Sequence, residues 1–371
     1  MRKQSSEEEK ELIRKIWSPP ESWNVLGAWF WWFWLFFIHD KDTEKTGRCR
    51  QLMILWSIKK DPRIRCNSLD IEIPVQFEKK GDKFQLNGAA AAWYFDGKKM
   101  HHDFVLEKTA MMLDPGKMRL SAPGKTPSEF YKDGQEFITK IAAQGKKFEF
   151  RTRKKDRNPA VGPTYGSTKL PFGMELEGTR LEIMELSGFE STAERTRKKI
   201  YGTAYFQKIL VAAPPPQWYW GLYHFKDGSF FTYMVPYIGR AMLAGNLWKG
   251  ETLRKPSLPL KQDILLYHAP SGRIFEGSRV SVMPIKIEGT GLWRHEILGR
   301  GKGFAIEAQA EAYSHSCWKF VKSAGPSPIK SSFEYNEYPA TAKLVLKLDS
   351  GEKIMLKNGW GNMENAWGFL I

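Results

Sequence analysis

Along most of this chain the apolar positions recur at a spacing of two, in short runs separated by Gly, Pro, Asn and Asp. That pattern predicts antiparallel strands joined by tight turns. Near the middle, the runs Ile200–Leu210 and Trp218–Tyr223 flank Pro214-Pro215-Pro216, and a third run, Ser229–Val235, returns across Asp227-Gly228. Proline cannot donate to a ladder and Asp-Gly accepts positive φ, so this stretch reads as strand, stiff crossover, strand, hairpin, strand. It stands at the junction of two β-rich halves.

The first half carries strand-like segments at Cys49–Ile58, Ser68–Glu78, Lys83–Phe95, Phe104–Glu107, Met118–Ala122, Phe148–Arg151 and Met174–Leu186. Between Thr126 and Gly145 a helix carrying Phe130, Phe137, Ile138 and Ile141 competes with a hairpin turning at Asp133-Gly134. Lys154–Gly173, rich in Pro, Gly and Lys, reads as a long surface loop over a barrel mouth. In the second half, Arg240–Leu260 reads mostly as loop. Strands are expected at Asp263–Tyr267, Arg273–Glu276, Ser281–Glu288, Gly291–Ile297, Phe304–Ala312 and Ala342–Leu348, with a last hairpin into Lys353–Leu356. No helix of any length is expected in this half; a short one is expected near the N-terminus, where Ser6 and Glu9 form a capping box ahead of Pro19-Pro20.

Val25–Ile38 is the most apolar run. As a helix its fourteen residues would reach only ~21 Å at ~1.5 Å per residue, short of the ~30 Å hydrocarbon core. As a strand it is buried on both faces, one lining a barrel and the other packing on a neighbouring unit. An interfacial anchor in lipid is the alternative, because Trp favours headgroup depth. The run is also similar to the central one: Trp32–Phe37 precedes Lys41-Asp42 as Trp218–Tyr223 precedes Lys226-Asp227-Gly228, a hint of tandem copies.

A length of 371 residues favours two domains over one. The abundance of rings (15 Trp, 23 Phe, 13 Tyr) points either to thick packed β walls or to a cavity for an elongated apolar ligand. The formal charge of +16 is spread along the chain, with one dense run from Lys146 to Arg157. No RNA-recognition, zinc-finger or basic-zipper signature accompanies it, so a solvated loop or contact with anionic lipid headgroups ranks ahead of nucleic acid. Cys49, Cys66 and Cys317 form no CxxC pair, which argues against disulfides and structural zinc and fits a reducing cytosol. Gly299–Gly303 lacks P-loop spacing and reads as a β-turn. There is no nucleophile elbow, metal-ligand spacing or dinucleotide fingerprint, and no cofactor is expected.

The order Gly202-Thr203-Ala204-Tyr205-Phe206-Gln207, a Pro-containing crossover, Trp218-Tyr219-Trp220-Gly221 and Asp227-Gly228 resembles the carotenoid 1,2-hydratase (hydroxyneurosporene synthase) family and its AttH-like relatives. The closing Gly359-Trp360-Gly361-Asn362-Met363-Glu364 is similar to that family's ending. The resemblance covers nearly the whole chain. It implies an all-β protein of two tandem lipocalin-like antiparallel barrels, residues 21–213 and 214–371, after a short helical extension over 1–20. It also implies an apolar ligand, an isoprenoid or polyene, more firmly than any one reaction.

Hydrating an isolated alkene requires a proton donor, aromatic faces for the cation, and a held water. Trp218, Trp220, Tyr205 and Tyr223 supply faces, and Trp32 and Trp34 extend the apolar lining. In the hydratases an acid stands where Gln207 stands here, often flanked by His, whereas this chain has Phe206 and Lys208. Gln orients water or polarises a carbonyl but cannot protonate an olefin. Candidate acids are Glu364, Glu334, Glu337 and the His101-His102-Asp103 group, so the catalytic set is Gln207, Glu364 and His102. Two functions remain open. One is an enzyme that hydrates, cyclises or isomerises the ligand, cytoplasmic or peripheral to an anionic membrane; the other is a non-catalytic carrier. Catalysis predicts a buried carboxyl or His within reach of Gln207 and the Trp218/Trp220 face.

Overall fold

The computed structural model describes residues 6–19, 29–59, 64–71, 77–154, 164–169, 175–192, 197–212, 217–238, 258–259, 261–323 and 330–370. Helix α1 (Ser6–Ile16) leads into β1 (Trp29–Ile38), the one-turn α2 (Thr43–Thr46), β2 (Arg50–Lys59), β3 (Ile64–Cys66), β4 (Leu69–Ile71) and β5 (Phe77–Lys80). Then come β6 (Lys83–Phe95), β7 (Met100–Asp114), β8 (Arg119–Ala122), β9 (Ser128–Asp133), β10 (Glu136–Ala143), β11 (Lys146–Lys154), β12 (Thr164–Lys169), β13 (Glu175–Thr192) and β14 (Arg197–Ala212). The second half holds β15 (Gln217–His224), β16 (Phe230–Ile238), β17 (Leu258–Pro259), β18 (Asp263–His268), β19 (Arg273–Lys286), β20 (Trp293–Gly301), β21 (Phe304–Ala312), β22 (Ser316–Ser323), β23 (Lys330–Leu348) and β24 (Lys353–Leu370).

The first sheet runs β11-β10-β9-β8-β7-β6-β2-β1-β14-β13, and β11 pairs again with β13, closing ten antiparallel strands into a barrel. The second runs β21-β20-β19-β18-β16-β15-β24-β23 and closes through β21–β23, a ring of eight. The described residues are thus nearly all β, in two closed antiparallel rings with a short helix ahead of them. β1 and β15 hold equivalent places, each pairing with the next strand and with the last strand of its own ring. The hairpin β3–β4, from the first half of the chain, adds to the second sheet through β22.

Alternation along β1 explains its composition. Trp32, Trp34, Phe36 and Ile38 enter the core of the first barrel, while Phe33, Leu35 and Phe37 join the cluster between the barrels. Both faces are buried, as a two-sided apolar strand requires; residues 25–28 of the run lie outside the described residues. The core is a stack of rings: Phe36 lies 3.9 Å from Phe150, Trp34 5.3 Å from Phe36 and 4.9 Å from Phe206. α1 closes one end, where Trp17 meets Phe130 at 4.5 Å and Ile16 O accepts the Trp32 indole N–H at 2.8 Å. Near the other end a buried ionic group replaces the rings. Arg50 donates to Glu190 (2.6 Å) and Tyr94 (3.1 Å), and Lys146 reaches Glu190 at 3.0 Å.

The similarity between the two aromatic runs is real in place but shifted in phase. Trp32 and Trp34 face inward, whereas in β15 it is Tyr219 and Tyr223 that enter the second barrel's core, with Trp218, Trp220 and Leu222 turned toward the first barrel. A one-residue offset moves a strand's whole side-chain set to the other face.

Thr126–Gly145 is the hairpin β9–β10, turning at Gly134 with φ +56° and sending Phe130, Phe137 and Ile141 into the core. Part of the expected loop at Lys154–Gly173 is instead β12, paired with β13; residues 155–163 and 170–174 lie outside the described residues. So do the Pro214–Pro216 crossover and residues 239–257. The strands expected at Arg273–Glu276 and Ser281–Glu288 are one, β19, continuous across an irregularity between Gly277 and Arg279. β24 does not stop at Leu356 but runs on through the closing motif to Leu370.

Candidate functional site between the barrels

Cross-strand register in the second barrel builds one row of side chains. Asp263 on β18 opposes Met234 on β16, which opposes Trp220 on β15, then Glu364 on β24 and Glu337 on β23. Directly opposed residues share a face. Here it is the face turned to the first barrel, since Trp220 and Leu222 pack in one cluster with Phe33, Leu35, Phe37 and Trp93. A second row beside it holds Trp218, Ala366 and Tyr335. The glycine of the closing motif allows these strands to lie close: a Cβ on Gly361 would meet the Leu222 carbonyl oxygen at 1.9 Å.

From the first barrel, Tyr205 and Gln207 alternate with the inward-facing Phe206 on β14. Tyr205 lies 5.5 Å from the Trp220 ring and donates its hydroxyl to Gln207 Oε1 at 3.0 Å. That leaves the Gln207 amide N–H groups as donors. Arg180 on β13 stands opposite Gln207. Gln207, Arg180, Met234, Trp218 and Tyr335 all keep partial solvent contact in the midst of this interface. These partly exposed aromatic and polar groups, facing each other across the two packed sheets, form the candidate recess.

Glu364 is the best-held group in it. Its Oε2 accepts the Trp218 indole N–H at 2.9 Å and its Oε1 accepts the Tyr335 hydroxyl at 2.6 Å. Burial raises its pKa to about 7, against the lowering effect of those two donors. Glu337, fully buried, is pushed well above the carboxylate range, first by burial and then by the charge of Glu364. Neither oxygen of Glu337 has a hydrogen-bond partner among the described residues. The Trp93 indole from the first barrel and the Tyr335 hydroxyl both come near enough to lower that pKa, without meeting the geometry of an ordinary hydrogen bond. Of the pair, Glu337 therefore holds its proton more tightly, and Glu364 is the readier to ionise.

At the other end of the row, burial raises the pKa of Asp263, though its side chain keeps exposed surface; that combination marks a group lining the recess. Burial lowers the Arg180 pKa, but the fields of Tyr205, Glu182 and Asp263 outweigh it and hold the guanidinium charged.

The structure thus brings Glu364, Trp218, Trp220, Tyr205 and Gln207 into one neighbourhood, and the charge of Glu364 is felt at Tyr205. Tyr223 lies on the opposite face of β15, in the second barrel's core. Trp32 and Trp34 are sealed in the first barrel, 0% exposed. His102 is exposed on β7, and no described contact joins it to the carboxyl pair. Glu334 is engaged by Trp367 Nε1 at 3.0 Å and Lys319 at 3.3 Å. Arg180, Asp263 and Trp93 carry no sequence signal; only the register assembles them. No cluster of metal-ligating side chains occurs among the described residues. Burial pushes the Cys49 and Cys317 thiols up to about 12, so neither is a ready nucleophile.

No family model matches this chain, and no curated protein matches it. Among solved structures it is similar to a protein of Nitrosomonas europaea provisionally named AttH, at 11% identity over 91% of this chain and 92% of that one, with a TM-score of 0.47.

Proposed function

We propose that the recess between the barrels takes an elongated apolar ligand, of the isoprenoid or polyene class, and that the Glu337/Glu364 pair exchanges a proton with one of its double bonds. The observation that carries this reading is the opposed carboxyl pair beside Trp218, Trp220 and Tyr335. A protonated Glu337 with no acceptor in the protein has its proton available for an alkene carbon. The faces of Trp220 and Tyr205 stabilise the resulting cation. Glu364, the more readily ionised of the two, then takes a proton from a water that adds to the cation, or from a neighbouring carbon. The first outcome is hydration, the second isomerisation or cyclisation. Gln207, its carbonyl occupied by Tyr205, orients water through its amide N–H groups.

One observation favours a carrier instead: both Glu364 oxygens are already engaged, as in a group that only fixes the wall of a pocket. The two readings separate in one experiment. The protein is incubated with an acyclic isoprenoid such as geranylgeraniol and the extract analysed by mass spectrometry. Conversion to a product of equal mass or one water heavier, abolished in Glu337→Gln with ligand retention intact, supports the enzyme. Retention without conversion supports the carrier, and absence of retention removes both.

A further inference from the structure

The end of the first barrel remote from α1 has a chemistry that the recess does not use. Antiparallel order gathers there the 39–49 connection with α2, the turns at 96–99 and 144–145, and the adjoining ends of β13 and β14, with 123–127 set back along the wall. Among the last three lies an open cleft of about 790 Å³, lined by Lys125, Thr126, Gln144, Lys146, Lys147 and Arg197 among others. Lys146 is committed to Glu190, and Arg197 lies over the Phe189 ring at 3.6 Å. Lys125 and Lys147 are exposed and make no ion pair among the described residues. The carboxylate beside them, Glu107, is occupied by the backbone N–H groups of Lys125 (3.0 Å) and Thr126 (3.2 Å). Lys98, Lys99, Lys198 and Lys199 extend the positive field along the same rim, all exposed. Convergent cations around a concave, partly apolar surface focus the potential on an anion.

The rim also carries Tyr201, 57% exposed, beside His39 at 6.0 Å. A groove for single-stranded nucleic acid presents a series of exposed rings. Among the described residues the only other exposed large ring is Tyr165, which lies against Lys15 of α1 at the opposite end. We propose that this rim docks the protein on an anionic phospholipid bilayer. One lipid phosphate enters the cleft between Lys125, Lys147 and Arg197, the remaining lysines contact neighbouring headgroups, and Tyr201 sits at headgroup depth. No helix among the described residues is long and apolar enough to cross a membrane.

The test is sedimentation of the full chain with vesicles of phosphatidylcholine containing a third phosphatidylglycerol, against pure phosphatidylcholine. Binding to the anionic vesicles alone, weakening as salt rises, is the expected result. The variant Lys125→Glu/Lys147→Glu/Arg197→Glu should lower partitioning by on the order of a hundredfold or more, at several-fold per cation lost. Lys302→Glu/Lys343→Glu/Lys353→Glu, on the second barrel, should leave it within a few-fold. Circular dichroism melts of both variants establish that each is folded. Equal loss in both variants would overturn the proposal by making the effect one of net charge. Binding of inorganic phosphate or a single-stranded oligonucleotide without vesicle binding would overturn it equally.

Discussion

Glu337 and Glu364 stand directly opposite each other on β23 and β24, one without a hydrogen-bond partner among the described residues and the other held by an indole and a phenol. Two like acids in one dry site cannot both ionise. The asymmetry of their partners decides which keeps the proton: the donors on Glu364 favour its carboxylate, and Glu337 stays neutral.

This arrangement sets the sign of a pH effect on stability. A carboxyl whose folded pKa is raised contributes stability that is complete below its unfolded value and is lost as pH rises through the folded one. For Glu364 the window runs from about 4.5 to about 7, worth about 3 kcal/mol. His295, buried and lowered to about 4, works oppositely: its contribution is complete above about 6.5 and lost as pH falls. Glu364→Gln should therefore gain stability relative to the parent chain as pH rises from 5 to 8. Urea titrations at several pH values measure this, and a constant difference across the range would contradict the burial of the group.

Tyr335→Phe and Trp218→Phe each remove a donor that holds the Glu364 pKa down. Without it the carboxylate loses a charge-assisted hydrogen bond of about 1.5–3 kcal/mol. The pKa of Glu364 should move up by about one to two units in each variant. Carbon-13 NMR of labelled glutamate, comparing each variant with the parent chain, reads this directly.

In the first barrel, Glu190→Gln leaves the buried Arg50 guanidinium with the longer ion pair to Asp40 at 3.3 Å and the uncharged Tyr94 hydroxyl at 3.1 Å. Breaking one side of a buried pair costs about 3–5 kcal/mol. Replacing both, as Arg50→Met/Glu190→Leu, should recover most of that loss. Thermal and denaturant unfolding of the three chains checks the order.

How much of this was written in the chain differs from element to element. Lys83–Phe95 and Phe304–Ala312 coincide with β6 and β21 because alternation marks both, with Gly- or Asp-containing turns on both sides of β6 and a glycine turn ahead of β21. β7 is far longer than Phe104–Glu107, since His101, His102, Asp103, Glu107 and Lys108 interrupt its apolar count. The phase of Trp32 and Trp34 was illegible: with both faces of β1 apolar, nothing local tells the core from the neighbouring barrel. Glu364 was visible from the closing motif and Glu337 only as one of several acids. Their meeting depends on the β23–β24 register, a long-range property no local pattern encodes. The same holds for Arg180 and Asp263, which come from different sheets.

The most direct test of a proton exchanged in the recess is incubation of the protein with geranylgeraniol in deuterated water, followed by mass spectrometry of the recovered lipid. The account predicts carbon-bound deuterium in the lipid with the parent chain and its loss in Glu337→Gln, while retention persists in both. Recovery of retained lipid with no deuterium, or equal labelling in the variant, would contradict a catalytic role for the pair.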